Sequence, residues 1–228
     1  MLGITIFIGC IEYGLTHGDF VETALQDTGS FDNSAPTPED SGEFSAPDTA
    51  LGADCPSPVA ALEGTVTFRE DGLLLDAEPI FDDEFSFAGW VRFDSLPHQF
   101  ERVFDFGSLE NPLMRLHHNT GTTLRFATGE WDLVDIEEFW EVGEYVFLVA
   151  TIDSSGEKTV YSNNEQIAQQ PGPALSSLSW QSSTTYRIGS SNWVNEDDQI
   201  AQMTTHDLLF YDEVISAACR EELMAEVP

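Results

Sequence analysis

"EFSFAGWVRF", Glu84 to Phe93, is the stretch that decides the fold. Side chains of an extended chain alternate between two faces, so Phe85, Phe87, Val91 and Phe93 share one face and Trp90 lies on the other. Short apolar runs of the same kind stand on both sides of it: "TVTF" and "GLLL" before, "FERVFDFG", "PLMRLHH" and "TTLRFAT" after. "EYVFLVATID" is apolar on both faces, as for a strand packed on each side. "DSSGEK" is a turn, with Asp, Ser and Gly between two β runs. "KTVYSNNEQIAQ" reads as a hairpin around Asn163–Asn164, and "TYRIGSS" and "MTTHDLLFYD" are two further strands. Only the end is helical: Ser216 can cap "AACREELMAE". Many short strands, regular turns and one terminal helix predict an all-β protein, a two-sheet antiparallel sandwich over residues 59–228.

Composition bounds the function. The chain has 228 residues with 41 Asp and Glu against 8 Lys and Arg, a formal net charge of −33. Such a chain repels nucleic acid, which removes DNA and RNA from the candidate partners. The charge suits solubility in salt water, where screening weakens self-repulsion. The acidity is not confined to one end, because residues 69–228 carry 30 of the acids along with all 8 bases. Residues 11–58 are rich in Ser, Pro, Asp, Gly and Thr and lack a regular apolar period. A segment of this kind buries too little surface to offset its ordering entropy and reads as an acidic linker.

Two resemblances sharpen this outline. "MLGITIFIGC" is similar to a bacterial lipoprotein signal: an apolar run closing on Phe7, Ile8, Gly9 and Cys10. That resemblance implies a signal segment over residues 1–10, lipidation of Cys10, and a lipoprotein at the outer membrane or cell surface, or a secreted protein. The membrane would then be met only through the lipid. Export leaves Cys55 and Cys219 as an even pair in an oxidising setting. Cys55 precedes the first strand and Cys219 lies in the last segment, so a sandwich whose ends meet would join them.

The second resemblance lies in the order of the strands. "FSFAGWVRF", "RVFDFGS", "LRFAT", "VGEYVFLVATID", "KTVYSNNEQIA", "YRIGSS" and "HDLLFYDEVISAACREEL" follow one another as in the laminin G-like jelly roll of the concanavalin A-like lectin/glucanase superfamily. The resemblance implies a jelly-roll sandwich and a binding module, monomeric, whose partner is a glycan or another exported protein; the alternatives are a glycoside hydrolase and a structural surface module without a small ligand. It also implies a possible Ca²⁺ ion, held by hard oxygen ligands at a sandwich edge. Asp71, in "EDG", and Asp207, in "HDLLFY", stand where such ligands would be.

Candidate sites follow. "SSNWVNEDDQ" offers Trp193 for sugar stacking, with Asn192 and Asn195 beside it. "GEWDLVDIEE", Gly129 to Glu138, is similar to the catalytic strand of laminarinase- and lichenase-type glycoside hydrolases, with Glu130, Asp132 and Asp135 as the carboxylates. Retaining glycosidases need two carboxyl groups about 5–5.5 Å apart. The order of strands instead places this stretch in a loop or edge hairpin with its acids free, and the expectation is a protein that is not an enzyme. His117 and His118 are adjacent on a strand and must point to opposite faces.

Overall fold

The computed structural model describes residues 55–69, 72–75, 81–108, 111–130, 132–178, 184–192 and 200–228. Cys10, residues 11–54 of the expected linker, Asp71, Trp131, Trp180, Trp193 and Asn195 lie outside them. The strands are β1 (Ala60–Phe68), β2 (Leu73–Leu74), β3 (Phe85–Phe93), β4 (Arg102–Gly107), β5 (Pro112–His118), β6 (Leu124–Thr128), β7 (Asp132–Ile136), β8 (Val146–Ile152), β9 (Lys158–Ser162), β10 (Glu165–Gln170), β11 (Thr185–Ile188) and β12 (Met203–Tyr211). One helix, α1 (Ala217–Met224), closes the chain. No helix among the described residues is long and apolar enough to cross a membrane.

The strands form two antiparallel sheets of six. The first runs β1-β12-β3-β8-β9-β10, the second β2-β11-β4-β5-β6-β7. The jelly-roll sandwich expected from the sequence is therefore the fold. Inward-facing residues of both sheets make the main core, in which Phe85 and Phe87 of β3 meet Phe104 of β4, Phe126 of β6 and Phe210 of β12. Ring centroids of 5.2 Å for Phe87–Phe104 and 5.3 Å for Phe106–Phe210 give tilted aromatic contacts rather than face-to-face stacks.

β8 is packed on both sides, as its composition required. Leu148, Ala150 and Ile152 join the main core, while Phe147 and Val149 join a second cluster on the outer face of the first sheet. That cluster gathers Trp90, Leu209 and Tyr211 beneath Cys219 and Leu223 of α1. Ser216 caps the helix, its hydroxyl accepting from the Cys219 N–H at 3.1 Å. A Cys55–Cys219 disulfide ties the helix to the segment before β1, across a sequence separation of 164.

Two irregularities have local causes. Asn163 and Asn164 both have positive φ, 48° and 65°, as a two-residue type I′ hairpin turn requires. β12 carries a bulge at Asp207, whose φ is 48°. The Asp207 carboxylate holds the bulge by accepting from the Gly64 N–H at 2.6 Å, where β1 also shifts register. Next to it Gly89 is required, since a Cβ there would overlap the backbone of Asp207 and Leu208.

Candidate functional site

The outer face of the second sheet is polar where that of the first is apolar. Its residues come in two cross-strand rows set by the register. One row runs Leu74, Arg187, Asp105, Arg115, Ala127, Leu133. The next runs Arg102, His117, Arg125, Asp135. Between the rows lies a depression of about 170 Å³ lined by Phe100, Arg102, Arg115, His117, Arg125, Glu130 and Leu133. Three of these seven residues are arginines, in a chain with only 8 basic residues among 228. Such a concentration on an acidic protein is not a sample of its general surface.

Each guanidinium is oriented by the strands around it. Arg102, 1% exposed, places Nε 3.3 Å from the Asp105 carboxylate. Arg115 donates to the backbone carbonyls of Gly129 at 2.9 Å and Glu130 at 3.1 Å, and so anchors the turn between β6 and β7 to β5. Arg125 holds Asp135 through two bonds of 2.6 Å from Nε and Nη2, leaving Nη1 outside that pair. Phe100 forms a wall beside them, with the Arg102 guanidinium 5.9 Å from its ring centroid and the His117 ring at 6.1 Å. Its φ of 62° is unfavourable for a bulky side chain, and strain of this kind collects at ligand sites.

His117 is the remaining wall. It and His118 point to opposite faces: His117 to the depression, His118 to the core side beside Phe93 and Glu101. Burial, aided by the Arg102 charge, holds the His117 imidazole well below its ordinary pKa, so the ring is neutral at physiological pH.

The residues singled out from the sequence fall elsewhere. Asp132 and Asp135 are three apart on β7, the last strand of its sheet, and so face opposite sides. Asp132 pairs with the fully buried Lys158 and accepts from Thr128 Oγ1 at 2.9 Å, while Asp135 pairs with Arg125. The expectation that these acids are free is corrected here: the only lysine and one of the scarce arginines of the chain come to them through the fold. Glu130, on the turn, is exposed at the rim of the depression. The three carboxylates do not converge on one point.

Asn192 is held rather than free. Its Oδ1 accepts from Thr185 and Arg187, and its Nδ2 donates to the Asp105 carbonyl and carboxylate. It braces the segment after β11 against β4 and has no capacity left for a ligand. Trp140 is 4% exposed, edge-on to Phe93 at 4.7 Å, and belongs to the core. Asp207 gives one oxygen to Gly64 and the other to His206 Nε2, at 3.0 Å. Among the described residues no group of three or more His, Cys, Asp or Glu is placed to hold a metal ion.

The arginine cluster escaped the sequence reading, although a signal for it existed. "MRL" and "LRF" each set an arginine, Arg115 and Arg125, between two core residues of a strand. Two strands with that pattern must put their arginines on one outer face if they share a sheet; Arg102, in "ERV", carries no such signal. A second cleft, lined by Glu137, Glu138, Glu141 and Glu144 with Phe139 and Ile167, is wider but follows the general acidity of the surface.

The comparisons with known proteins agree with the architecture. A laminin G-type sequence profile, described as concanavalin A-like lectin/glucanases superfamily, matches residues 68–218. No curated protein matches the chain in sequence. Among solved structures, the chain is similar to a Ruminococcus gnavus IT-sialidase CBM40 bound to α2,3-sialyllactose, with a TM-score of 0.58 and 14% identity over 74% of this chain and 98% of that one. It is also similar to Trypanosoma rangeli sialidase in complex with a difluoro-KDN, with a TM-score of 0.53 and 14% identity over 71% of this chain and 27% of that one. The chain thus spans about a quarter of the sialidase's length. At such identities the likeness speaks for the fold alone. Profile and architecture together establish that the chain belongs to the concanavalin A-like lectin/glucanase superfamily, through its laminin G-type family.

Proposed function

We propose that this protein is a non-catalytic, lectin-like module that binds an anionic glycan in the depression walled by Arg102, Arg115 and Arg125. The carrying observation is the gathering of three oriented guanidiniums around one concavity on a chain of net charge −33. The planar guanidinium fork matches a carboxylate in two parallel bonds, and a partly buried site is screened less than the open surface. The R. gnavus module of the same fold is described with a sialylated sugar, which makes sialyllactose the natural first probe. We take the role to be non-catalytic; among the described residues the lining holds one carboxyl group, Glu130, where glycoside hydrolysis commonly uses a pair. Lipidation at Cys10 and the linker over residues 11–58 would hold the module at the cell surface and present the site outward.

The test is a titration of the full chain with sialyllactose and lactose, with and without EDTA so that a Ca²⁺ requirement also shows. Sialyllactose should bind and lactose should not, with affinity falling as salt rises. Arg125→Ala should weaken binding at least about ten-fold, the loss of one charge-assisted contact. Equal binding of the two sugars, or an Arg125→Ala protein that binds as before, overturns the proposal.

A further inference from the structure

The arginines explain why an anion would enter the depression, but not what else its occupant must carry. His117 supplies that. Its Nδ1 lies 2.9 Å from the backbone carbonyl of His118. A carbonyl can only accept, so Nδ1 carries the hydrogen, and in the neutral ring Nε2 is a bare lone pair. That nitrogen is buried, in a residue 1% exposed, and finds no hydrogen-bond partner among the described residues. Buried acceptors are rarely left so, which points to a donor from outside the chain.

The register says what surrounds it. His117 stands between Arg102 and Arg125 in one cross-strand row, each a neighbouring strand away at a spacing of about 4.8 Å. The flanking side chains can only donate, and the Nε2 of the central one can only accept. We propose that His117 Nε2 accepts a hydrogen bond from a ligand hydroxyl, so that the depression selects hydroxylated sugar acids over simple oxyanions and over neutral sugars. This rests on the reading of the depression as an anionic-glycan site.

The chemistry separates the classes. Sulfate or a bare carboxylate presents acceptors only, and an oxygen facing Nε2 would meet its lone pair. A neutral sugar satisfies His117 but brings no charge to the arginine row. A nonulosonate or a uronate carries an ionised carboxylate and hydroxyls on one small ring, so it can answer both at once. The suppressed basicity of His117 fits the same role, because a protonated ring could no longer accept.

Four probes decide the matter: sialyllactose, a glucuronic-acid disaccharide, lactose and inorganic sulfate, titrated against the full chain and three variants. The native protein should bind at least one sugar acid ten-fold or more above sulfate and lactose. His117→Leu should lose about ten-fold for the sugar acid and none for sulfate. His117→Gln, which keeps an acceptor, should stay within about three-fold of native. Arg125→Ala should lose both the sugar acid and sulfate. If His117→Leu binds the sugar acid as the native protein does while Arg125→Ala does not, the role of His117 falls and the anionic site stands. If neither variant matters, both fall. Sulfate bound as tightly as the sugar acids also overturns the inference. Should His117→Leu fail to fold, His117→Gln decides, and loss of sugar-acid binding there, in a folded protein, counts against it.

Discussion

The two sheets turn very different outer faces outward. The outer face of β12, β3 and β8 is apolar, carries Trp90, Phe147 and Tyr211, and is roofed by α1 and pinned by the Cys55–Cys219 disulfide. The outer face of β4, β5 and β6 carries Arg102, Arg115, His117 and Arg125 and has a concavity instead of a roof. One face is sealed because its residues gain by leaving water. The other holds polar groups, of which His117 Nε2 has no partner among the described residues. In a small sandwich, the first face adds a satellite core to the fold, and the second is where recognition chemistry can be afforded.

The sealed face can be broken most strongly. Replacing Cys55 and Cys219 by Ser should cost about 4–5 kcal/mol on the chain-entropy account of a loop this long, read as a fall in the denaturation midpoint under non-reducing conditions. The outer-face depression should survive below that midpoint, since the disulfide belongs to the cluster on the outer face of the other sheet. Retained sialyllactose binding in the double Ser variant would sharpen the contrast, and loss of binding in a folded protein would break it.

At the seam where the two sheets meet, Asp132 and Asp135 offer an internal comparison within one five-residue strand. Asp132 neutralises Lys158, which has no exposed side-chain surface. Asp132→Ala should therefore cost about 3 kcal/mol by stranding a buried cation. Asp135 is 39% exposed and its pair with Arg125 faces water, so Asp135→Ala should cost about 1 kcal/mol or less. Urea unfolding of the two variants measures the difference, and equal costs would show that burial does not separate them.

The smallest effect belongs to the open face and depends on pH. The folded-state pKa of His117 is depressed, chiefly by burial. The unfolded chain therefore takes up a proton, as pH falls below about 6.5, that the folded chain refuses. The stability His117 confers is complete above that value and is lost as pH falls through the window down to its folded pKa. The slope cannot exceed about 1.4 kcal/mol per pH unit for one proton. Stability measured between pH 7 and 5 should fall more steeply for the native protein than for His117→Leu. Parallel curves would mean that the ring titrates normally and is not held neutral by its surroundings.

Much of the architecture was legible before any coordinate. Alternation in "EFSFAGWVRF" assigned faces to β3, Ser216 marked the start of α1, and the placement of Cys55 and Cys219 at the two ends of the domain anticipated their bond. The site was less legible. "GEWDLVDIEE" matched a catalytic spacing along the chain, but its meaning turned on Lys158 and Arg125, which lie 26 and 10 residues away from the acids they pair with. Asn192 read as a ligand contact because a free Asn can bond a sugar. Asp105, 87 residues distant, already occupies it.

What the sequence determined by itself is what repeats locally: which residues face in, where turns and the helix begin, and how acidic the surface must be. These follow from side-chain alternation, turn chemistry and charge counting, none of which needs a distant partner. Only the tertiary structure decided which arginines stand together and which carboxylates are already paired. The register of β4, β5 and β6 aligned Arg102, His117 and Arg125 in one row. These strands follow one another in the chain, but their register depends on the turns between them and on irregularities in the β4–β5 ladder, which the apolar pattern does not display.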